Sequence, residues 1–347
     1  MAPNKINVFI VDDSILYRNI LSVFLHQDDI IHVAGAEGDP VAALETIKSV
    51  KPDVVILDIE MPKMNGIEFL KRLIPEHPIP VVVVTAMPIE AFEALEAGAV
   101  EFVKKPSAKG ADNMKHFSEE LRAVIKIASK AEVKKVRSLM ISKPKTLENP
   151  MLSASIKNEY VIAIGASTGG TDAIKEVLED FPKDAPPTVI VIHMPPKFTQ
   201  MYAERLNRIC KVEVREAQNG DRLKPGLALV GAGGIHLRLA KDRQGYYVKC
   251  EEGEKVSGHC PSVDVLFSSV AETAKDKAVG VILTGMGRDG ADGLLKMKKA
   301  GAYTIGQDKE SCVVYGMPMV AFNIGAVTKQ SSLENISSDV CKYLKEK

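Results

Sequence analysis

The stretch VIAIGASTGG, residues 161–170, joins an apolar run to a glycine-rich loop. The apolar run predicts a buried strand, and the residues after the loop have the apolar spacing of a helix. That spacing is carried by Ile174, Val177, Leu178 and Phe181. A strand that enters a helix through glycines is typical of a βα unit in a parallel sheet. Ser167 in the loop fits three roles: a nucleophile in a G-x-S-x-G turn, a hydroxyl in a phosphate loop, or a helix cap.

Two series of such units are present. In residues 160–330 the runs TVIVIH and VGVILTG continue the first series, and IHLRLA and YYVKCEE alternate in polarity around KDRQG, which predicts an antiparallel hairpin added to the parallel sheet. In residues 6–106 apolar runs again alternate with helical patterns. The first helix there is predicted by an apolar series that follows Ser14, a plausible cap. That series is Leu16, Ile20, Val23 and Phe24.

Length and composition indicate a globular protein of about two domains. The net charge of zero over 347 residues gives no electrostatic case for nucleic acid or an anionic membrane. The cysteines at 210, 250, 260, 312 and 341 form no C-x-x-C pair or zinc spacing, and they fit a reducing compartment. The start MAPNKINVFIVDDS lacks the apolar core of a signal peptide, and no run approaches the roughly 20 residues of a membrane span. We therefore expect a cytoplasmic protein. A tether with linker composition, SKPKTLENP, separates the halves.

In the first half, the chemically active residue types follow apolar runs. Asp12 and Asp13 end one run, Asp58 another, and Thr85 and Lys105 follow the last two. The carboxyl ends of parallel strands share one sheet edge, so these side chains are predicted to meet there. Carboxylates that meet repel one another unless a hard cation such as Mg²⁺ binds between them.

Over about residues 5–125 the chain resembles a response-regulator receiver domain, through VDDS, LDIEMPKMNG, VVVVTAM and FVKKP. The resemblance implies that Asp58 accepts a phosphoryl group from a chemotaxis histidine kinase. It also implies Mg²⁺ held by Asp12, Asp13, Asp58 and the backbone carbonyl of Glu60. Three further residues are implied as the switch: Thr85, Lys105 and the aromatic Phe102.

A nucleophilic serine needs a base and a group that orients the base. His193 ends TVIVIH, so it is predicted at the same sheet edge as Ser167, while His236 and His259 compete less well because neither ends a strand of the series. Asp289, in the glycine-rich TGMGRDG, is the acid of choice. The order Ser, His, Asp departs from the Ser, Asp, His order of common α/β-hydrolases.

Across nearly all of 159–330 the chain resembles the catalytic domain of chemotaxis protein-glutamate methylesterases. The matching stretches are IGASTGG, HMPPKFT, AERLN, GDRLKPG, PSVDVLF, VILTGMGRDGADG and VVYGMP, whereas VGAGGIH departs from the family's APGGxH. The resemblance implies that Ser167, His193 and Asp289 hydrolyse glutamate γ-methyl esters on chemoreceptors. The backbone N–H of Met286 would bind the oxyanion, and Thr168 would hydrogen-bond in the site. It also implies glutamine deamidation, with no cofactor in the esterase step.

The expected fold is therefore α/β, with two doubly wound parallel-sheet domains. They are a flavodoxin-like receiver (1–125) and, after a linker (126–157), a Rossmann-like esterase domain with an added antiparallel hairpin (158–347). We expect a phosphorylation-activated monomer. Three alternatives stay open: a receiver-controlled serine hydrolase for another ester or amide, a receiver with a DNA-binding output, and a degenerate scaffold. The second half lacks a basic recognition helix, which disfavours DNA binding.

Overall fold

The computed structural model describes residues 5–106, 111–133 and 154–347. The chain divides into two compact units, Met1–Ile141 and Ser142–Lys347. Among the described helices, none is both long enough and apolar enough to cross a membrane. Most of the segment expected as a linker, together with the SKPKTLENP stretch, lies outside the described residues.

The first unit is built on a five-stranded parallel sheet of order β2-β1-β3-β4-β5. The strands are β1 (Ile6–Val11), β2 (Ile31–Glu37), β3 (Val54–Asp58), β4 (Val81–Thr85) and β5 (Glu101–Lys104). The helices are α1 (Ile15–Leu25), α2 (Pro40–Val50), α3 (Gly66–Glu76), α4 (Pro88–Glu96) and α5 (Ala111–Ala128). Every residue of β3 and β4 is buried, as expected of central strands covered by helices on both faces. The predicted parallel sheet is confirmed.

Helix α1 exists as predicted, but the apolar series that predicts it does not mark its buried face. Ser14 caps it by accepting a hydrogen bond from the N–H of Tyr17. The helix buries Leu21 and Leu25, while Leu16 and Val23 of the predicted series are 71% and 60% exposed. The helix carries apolar residues on more than one side, so the 3.6-residue period predicts a helix without identifying the side that faces the sheet.

The second unit is built on a seven-stranded parallel sheet of order β14-β13-β12-β6-β7-β9-β8. Its strands are β6 (Val161–Ala166), β7 (Thr188–Ile192), β8 (Glu213–Glu216), β9 (Leu227–Val230), β12 (Ala278–Ile282), β13 (Tyr303–Gln307) and β14 (Lys329–Ser331). Its helices are α6 (Ala154–Glu159), α7 (Gly170–Glu179), α8 (Phe198–Ile209), α9 (Val263–Thr273), α10 (Ala291–Lys299), α11 (Met317–Asn323) and α12 (Leu333–Lys345), with a 3₁₀ turn at Lys275–Lys277. The apolar series predicted for α7 is fully buried, which confirms that helix and its face.

The predicted hairpin is confirmed as β10 (His236–Asp242) and β11 (Gly245–Glu251), paired antiparallel. It forms a two-stranded sheet of its own rather than extending the parallel sheet. Hydrogen bonds attach it to α9: the N–H of Leu239 donates to Ser269 Oγ, and the Thr273 hydroxyl donates to the Leu239 carbonyl. The hairpin thus covers α9, whose first turn lies at the candidate site.

The sheet order positions that site. Strands β12, β6 and β7 are neighbours and run in the same direction, so the loops that follow them emerge side by side. In a doubly wound sheet this edge is where ligands bind.

Candidate functional sites

Ser167, His193 and Asp289 emerge from three adjacent strands. Ser167 directly follows β6, His193 directly follows β7, and Asp289 lies in the loop between β12 and α10. The structure joins them into one hydrogen-bonded chain. His193 Nδ1 lies 3.1 Å from Ser167 Oγ, and His193 Nε2 lies 2.8 Å from Asp289 Oδ2.

The ring of His193 has a defined orientation in this chain. Since an ionised Asp289 only accepts hydrogen bonds, Nε2 carries the proton and donates it to the carboxylate. The lone pair on Nδ1 is then free to accept the hydrogen bond of the Ser167 hydroxyl. In the chymotrypsin-type triad the two nitrogens have the opposite assignment, with Nε2 toward the serine.

Asp289 is buried and receives four hydrogen bonds. His193 Nε2 and the N–H of Val263 donate to Oδ2, while the Ser262 hydroxyl and the N–H of Asp264 donate to Oδ1. Burial by itself would raise the pKa of Asp289. The hydrogen bond and the charge of His193, together with the bonds at the first turn of α9, outweigh burial and lower that pKa to about 2. The acid therefore stays ionised, and its orientation is fixed on both oxygens.

The backbone around Ser167 is held by the loop that follows β12. The N–H of Ser167 donates to the Thr284 carbonyl at 3.0 Å, so this N–H is not free to bind a substrate oxygen. Gly285 packs directly on the serine. A Cβ at Gly285 would lie 2.7 Å from Ser167 Cβ and 2.5 Å from Met317 Sδ, closer than real Cβ atoms come.

Thr284 connects three loops of the site. Its N–H donates to Gln307 Oε1 at 2.7 Å, and its hydroxyl accepts from the N–H of Val314 at 2.9 Å. The same hydroxyl lies 3.0 Å from the Thr168 carbonyl oxygen and 3.2 Å from the Val314 carbonyl oxygen. It has one proton, so it donates to one of these two oxygens at a time. Sequence reasoning missed Thr284, Gln307 and Ser262. The only local signal was for Ser262, which has the position of a helix cap before VDVLF.

Thr168 follows Ser167 in the chain, and Met286 follows Gly285, the residue that packs on Ser167. Within the part of the chain that the structure describes, the N–H of Met286 donates no hydrogen bond, so it can bind an oxyanion. Thr168 is buried and its carbonyl lies within hydrogen-bond distance of the Thr284 hydroxyl. The hydrogen bonds of the described residues do not involve the Thr168 hydroxyl.

The two competing histidines have other contacts. The His259 ring is stacked on the His193 ring, with centroids 3.6 Å apart and planes inclined by 7°. His236 is buried; its Nε2 lies 2.9 Å from the Glu254 carbonyl, and its Nδ1 accepts from the N–H of Ser262 at 3.3 Å. Neither imidazole makes a hydrogen bond to Ser167.

The first unit brings its carboxylates together at the ends of β1 and β3. Carboxylate oxygens of Asp12, Asp13 and Asp58 all lie within 4.8 Å of one another. Lys105 Nζ lies 2.7 Å from Asp58 Oδ2 and 3.9 Å from Asp12 Oδ2. Burial, and next the charge of Asp58, raises the pKa of Asp12 to about 6. The cluster therefore carries closely spaced negative charge that a cation would relieve.

The donor set fits Mg²⁺, which prefers oxygen ligands. Three carboxylates converge, and no described residue donates a hydrogen bond to the Glu60 carbonyl, so that oxygen is free to act as a ligand.

Two further residues are expected to form the switch: Thr85 is the last residue of β4, and Phe102 lies in β5. The Thr85 hydroxyl donates to Glu90 Oε2 at 2.7 Å and accepts from the N–H of Met87 at 3.1 Å. Phe102 is buried and contacts the Phe92 ring edge-on, with centroids 6.5 Å apart. Sequence reasoning did not single out Glu90.

Comparison with known proteins places both halves in families. The CheB methylesterase pattern matches residues 162–340, and the response regulator receiver domain pattern matches residues 8–115. The chain is 49% identical over 346 residues to "Protein-glutamate methylesterase/protein-glutamine glutaminase 2" of Syntrophomonas wolfei, covering 100% of both chains. It is 46% identical over 352 residues to a protein-glutamate methylesterase/protein-glutamine glutaminase of Syntrophotalea carbinolica, covering 99% of both. The crystal structure of the Thermotoga maritima CheB methylesterase catalytic domain superimposes with a TM-score of 0.52 at 35% identity, covering 53% of this chain and 98% of that one.

Proposed function

The chain belongs to the CheB methylesterase family, and from that premise we propose that it hydrolyses glutamate γ-methyl esters on chemoreceptors in chemotaxis. Its second activity is the deamidation of glutamine side chains. The hydrogen-bonded chain from Ser167 through His193 to Asp289 is the observation that carries this proposal, because it supplies a nucleophile, a base and an orienting acid. Relatives matched over their full length bear both activities in their names.

The first chemical step is acylation of Ser167. Its Oγ attacks the γ-carbonyl carbon while Nδ1 of His193 takes the hydroxyl proton. The imidazolium that forms is stabilised by Asp289, whose charge is fixed by its four hydrogen bonds. The N–H of Met286 binds the oxyanion, and Thr168 hydrogen-bonds in the site.

The second step frees the enzyme. His193 returns the proton to the leaving methoxide, and methanol departs from the glutamyl-serine ester. Water then attacks the same carbon with His193 again as base, which regenerates Ser167 and leaves a glutamate carboxylate. With a glutamine substrate the same steps release ammonia in place of methanol.

The receiver half regulates this chemistry. Asp58 accepts the phosphoryl group from a chemotaxis histidine kinase, its carboxylate acting as the nucleophile. Asp12, Asp13, Asp58 and the Glu60 carbonyl would hold Mg²⁺, which would supply positive charge to offset the negative charge of the phosphoryl oxygens. Lys105 pairs with the added charge, and Thr85 must leave Glu90 in order to donate to the phosphoryl group. This exchange, together with Phe102, forms the switch. The protein acts as a cytoplasmic monomer.

The test is release of methanol from methylated receptor membranes, with and without a small-molecule phosphodonor and Mg²⁺. We expect release that the phosphodonor accelerates, and that Asp58→Asn makes insensitive to it. Glu45→Gln, which changes an exposed receiver carboxylate, is the matched control and should respond normally. If the protein releases no methanol but cleaves another ester, the assignment of methylated receptors as its substrate is wrong.

A further inference from the structure

His259 lies face to face with the proposed base. The ring centroids of His193 and His259 are 3.6 Å apart and the planes are nearly parallel. A tight turn fixes the backbone of His259, because Val256 and His259 exchange both backbone hydrogen bonds, at 3.0 and 2.9 Å. Ser257 and Gly258 at the tip have φ of 52° and 85°, the left-handed values that two-residue hairpin turns require. The ring therefore projects from a defined short hairpin.

The His193 ring has one face against the His259 ring. Its two nitrogens are fixed by Ser167 and Asp289, but hydrogen bonds at Nδ1 and Nε2 allow the ring to tilt about the line that joins them. A flat surface at stacking distance removes that freedom. The face of a neutral aromatic ring also attracts a cation, so it favours the imidazolium that forms during acylation.

We propose that His259 is a positioning residue for the esterase reaction, which fixes the plane of the His193 imidazole by stacking and presents a neutral ring face to it when it becomes charged. This inference rests on the proposed function of the site.

The neutral state of His259 has a physical cause. Burial comes first, and the neighbouring His193 and Lys255 add to it, while Asp289 acts in the opposite direction. Together they lower the pKa of His259 to about 4. Above about pH 5 the ring is therefore uncharged beside His193 and does not repel the imidazolium.

The stack is tested by His259→Ala and His259→Phe in the full-length protein, with kcat/KM for methanol release measured from pH 5 to 9. We expect His259→Ala to lose about tenfold in kcat/KM, and the midpoint of its acid limb to move to lower pH because the imidazolium loses its stacked neighbour. His259→Phe keeps a ring face, so it should stay within about threefold of the wild type with an unchanged midpoint. Val256→Ala alters the same turn without the ring and is the matched control.

Two results of these rate measurements would overturn the proposal. One is a His259→Ala profile whose midpoint stays in place or moves to higher pH. The other is a His259→Phe loss as large as that of His259→Ala, which would mean that the turn rather than the stack matters.

A spectroscopic measurement separates this inference from the proposed function. The His193 Nε2–H bonded to Asp289 should give a downfield proton resonance in ¹⁵N-histidine-labelled protein. Its exchange with water should accelerate in His259→Ala and not in His259→Phe. If that pattern appears while receptor esters are not cleaved, the positioning role stands and the substrate assignment fails. If exchange is the same in all three proteins, the positioning role is rejected whatever the substrate is.

Discussion

At the scale of single residues, Ser167 is the side chain on which the proposed chemistry depends most. Ser167→Ala removes only the hydroxyl, so the packing against Gly285 should survive. Loss of a triad nucleophile costs on the order of 10⁶ in turnover, and we expect methanol release to fall to background. Ser268→Ala in α9, where the hydroxyl accepts a hydrogen bond from the exposed Lys296, is the matched control and should keep normal rates. A Ser167→Ala protein that keeps a tenth of the activity would mean that the nucleophile is another residue.

The positions of site residues at strand ends could be predicted from sequence. The residues that hydrogen-bond to them or pack against them could not. Ser167 and His193 each follow an apolar run, so their shared sheet edge could be read from local pattern alone. The contacts of Thr284, Gln307 and His259 depend on loops far apart in the chain that meet only after folding. The catalytic roles themselves remain predictions until the variants are measured.

At the scale of elements, the buried Thr284 hydroxyl links the loop after β12 to two other segments of the site. Thr284→Val keeps the shape of the side chain but leaves the N–H of Val314 and the Thr168 carbonyl without their partner. We expect a loss of about 1–3 kcal/mol in unfolding free energy by urea denaturation. We also expect a fall in kcat of at least about tenfold, because the Ser167 loop loses its anchor. Thr284→Ser keeps the hydroxyl and should restore most of both quantities. A loss in Thr284→Ser that exceeds the loss in Thr284→Val would show that the methyl group, not the hydroxyl, is what matters.

The ends of β1 and β3 should bind Mg²⁺ in a pH-dependent way. Asp12 must be ionised to act as a ligand, and burial raises its pKa to about 6. The proton therefore competes with the metal as the pH falls: at pH 5 about a tenth of Asp12 is ionised, so the affinity should be about tenfold weaker than at pH 7.5.

Calorimetric titration with Mg²⁺ at the two pH values measures this difference. Asp12→Asn, which keeps an oxygen but cannot titrate, should bind more weakly and with a flatter pH response. An Asp12→Asn protein with the full pH response would assign the competing proton to another group.

Two elements of the first unit carry sequence signals that are weak or ambiguous. Strand β2 is an edge strand with only one fully buried residue, so its apolar signal is weak. Helix α1 presents apolar residues on its exposed side as well as its buried side, which leaves its orientation undetermined. Every residue of β3 and β4 is buried, and the apolar residues of α7 lie on one face of the helix. These elements were predictable because such a pattern is compatible with only one side facing the core.

At the scale of the whole molecule, two α/β units are joined in one chain. A receiver regulates an esterase only if phosphorylation of the receiver changes the esterase rate. We expect a fragment of residues 155–347 to release methanol without a phosphodonor, faster than the unphosphorylated full-length protein. The Thermotoga maritima catalytic domain crystallised by itself, so such a fragment can be expected to fold. A tenfold difference corresponds to about 1.4 kcal/mol, a typical coupling energy between sites.

Three initial rates on the same receptor membranes test this expectation: the fragment, the full-length protein, and the full-length protein with phosphodonor and Mg²⁺. A fragment no faster than the unphosphorylated whole would exclude inhibition by the receiver and leave only active stimulation. A fragment that lies between the two full-length rates would indicate that both effects operate. Sequence alone predicted the two-unit organisation because each half carries its own βα series, but coupling between the halves leaves no local pattern.

The orientation of the His193 ring has a consequence for covalent inhibitors. One such inhibitor is a receptor peptide with a γ-chloromethyl ketone in place of the glutamyl ester. It alkylates the ring nitrogen of His193 that faces the bound carbonyl group. In a chymotrypsin-type triad that nitrogen is Nε2. Here it is Nδ1. Hydrolysis of the inactivated protein should therefore yield π-alkylated histidine rather than the τ isomer, and chromatography against synthetic standards distinguishes the two. Recovery of the τ isomer would show that the imidazole ring rotates by about 180° before it is alkylated.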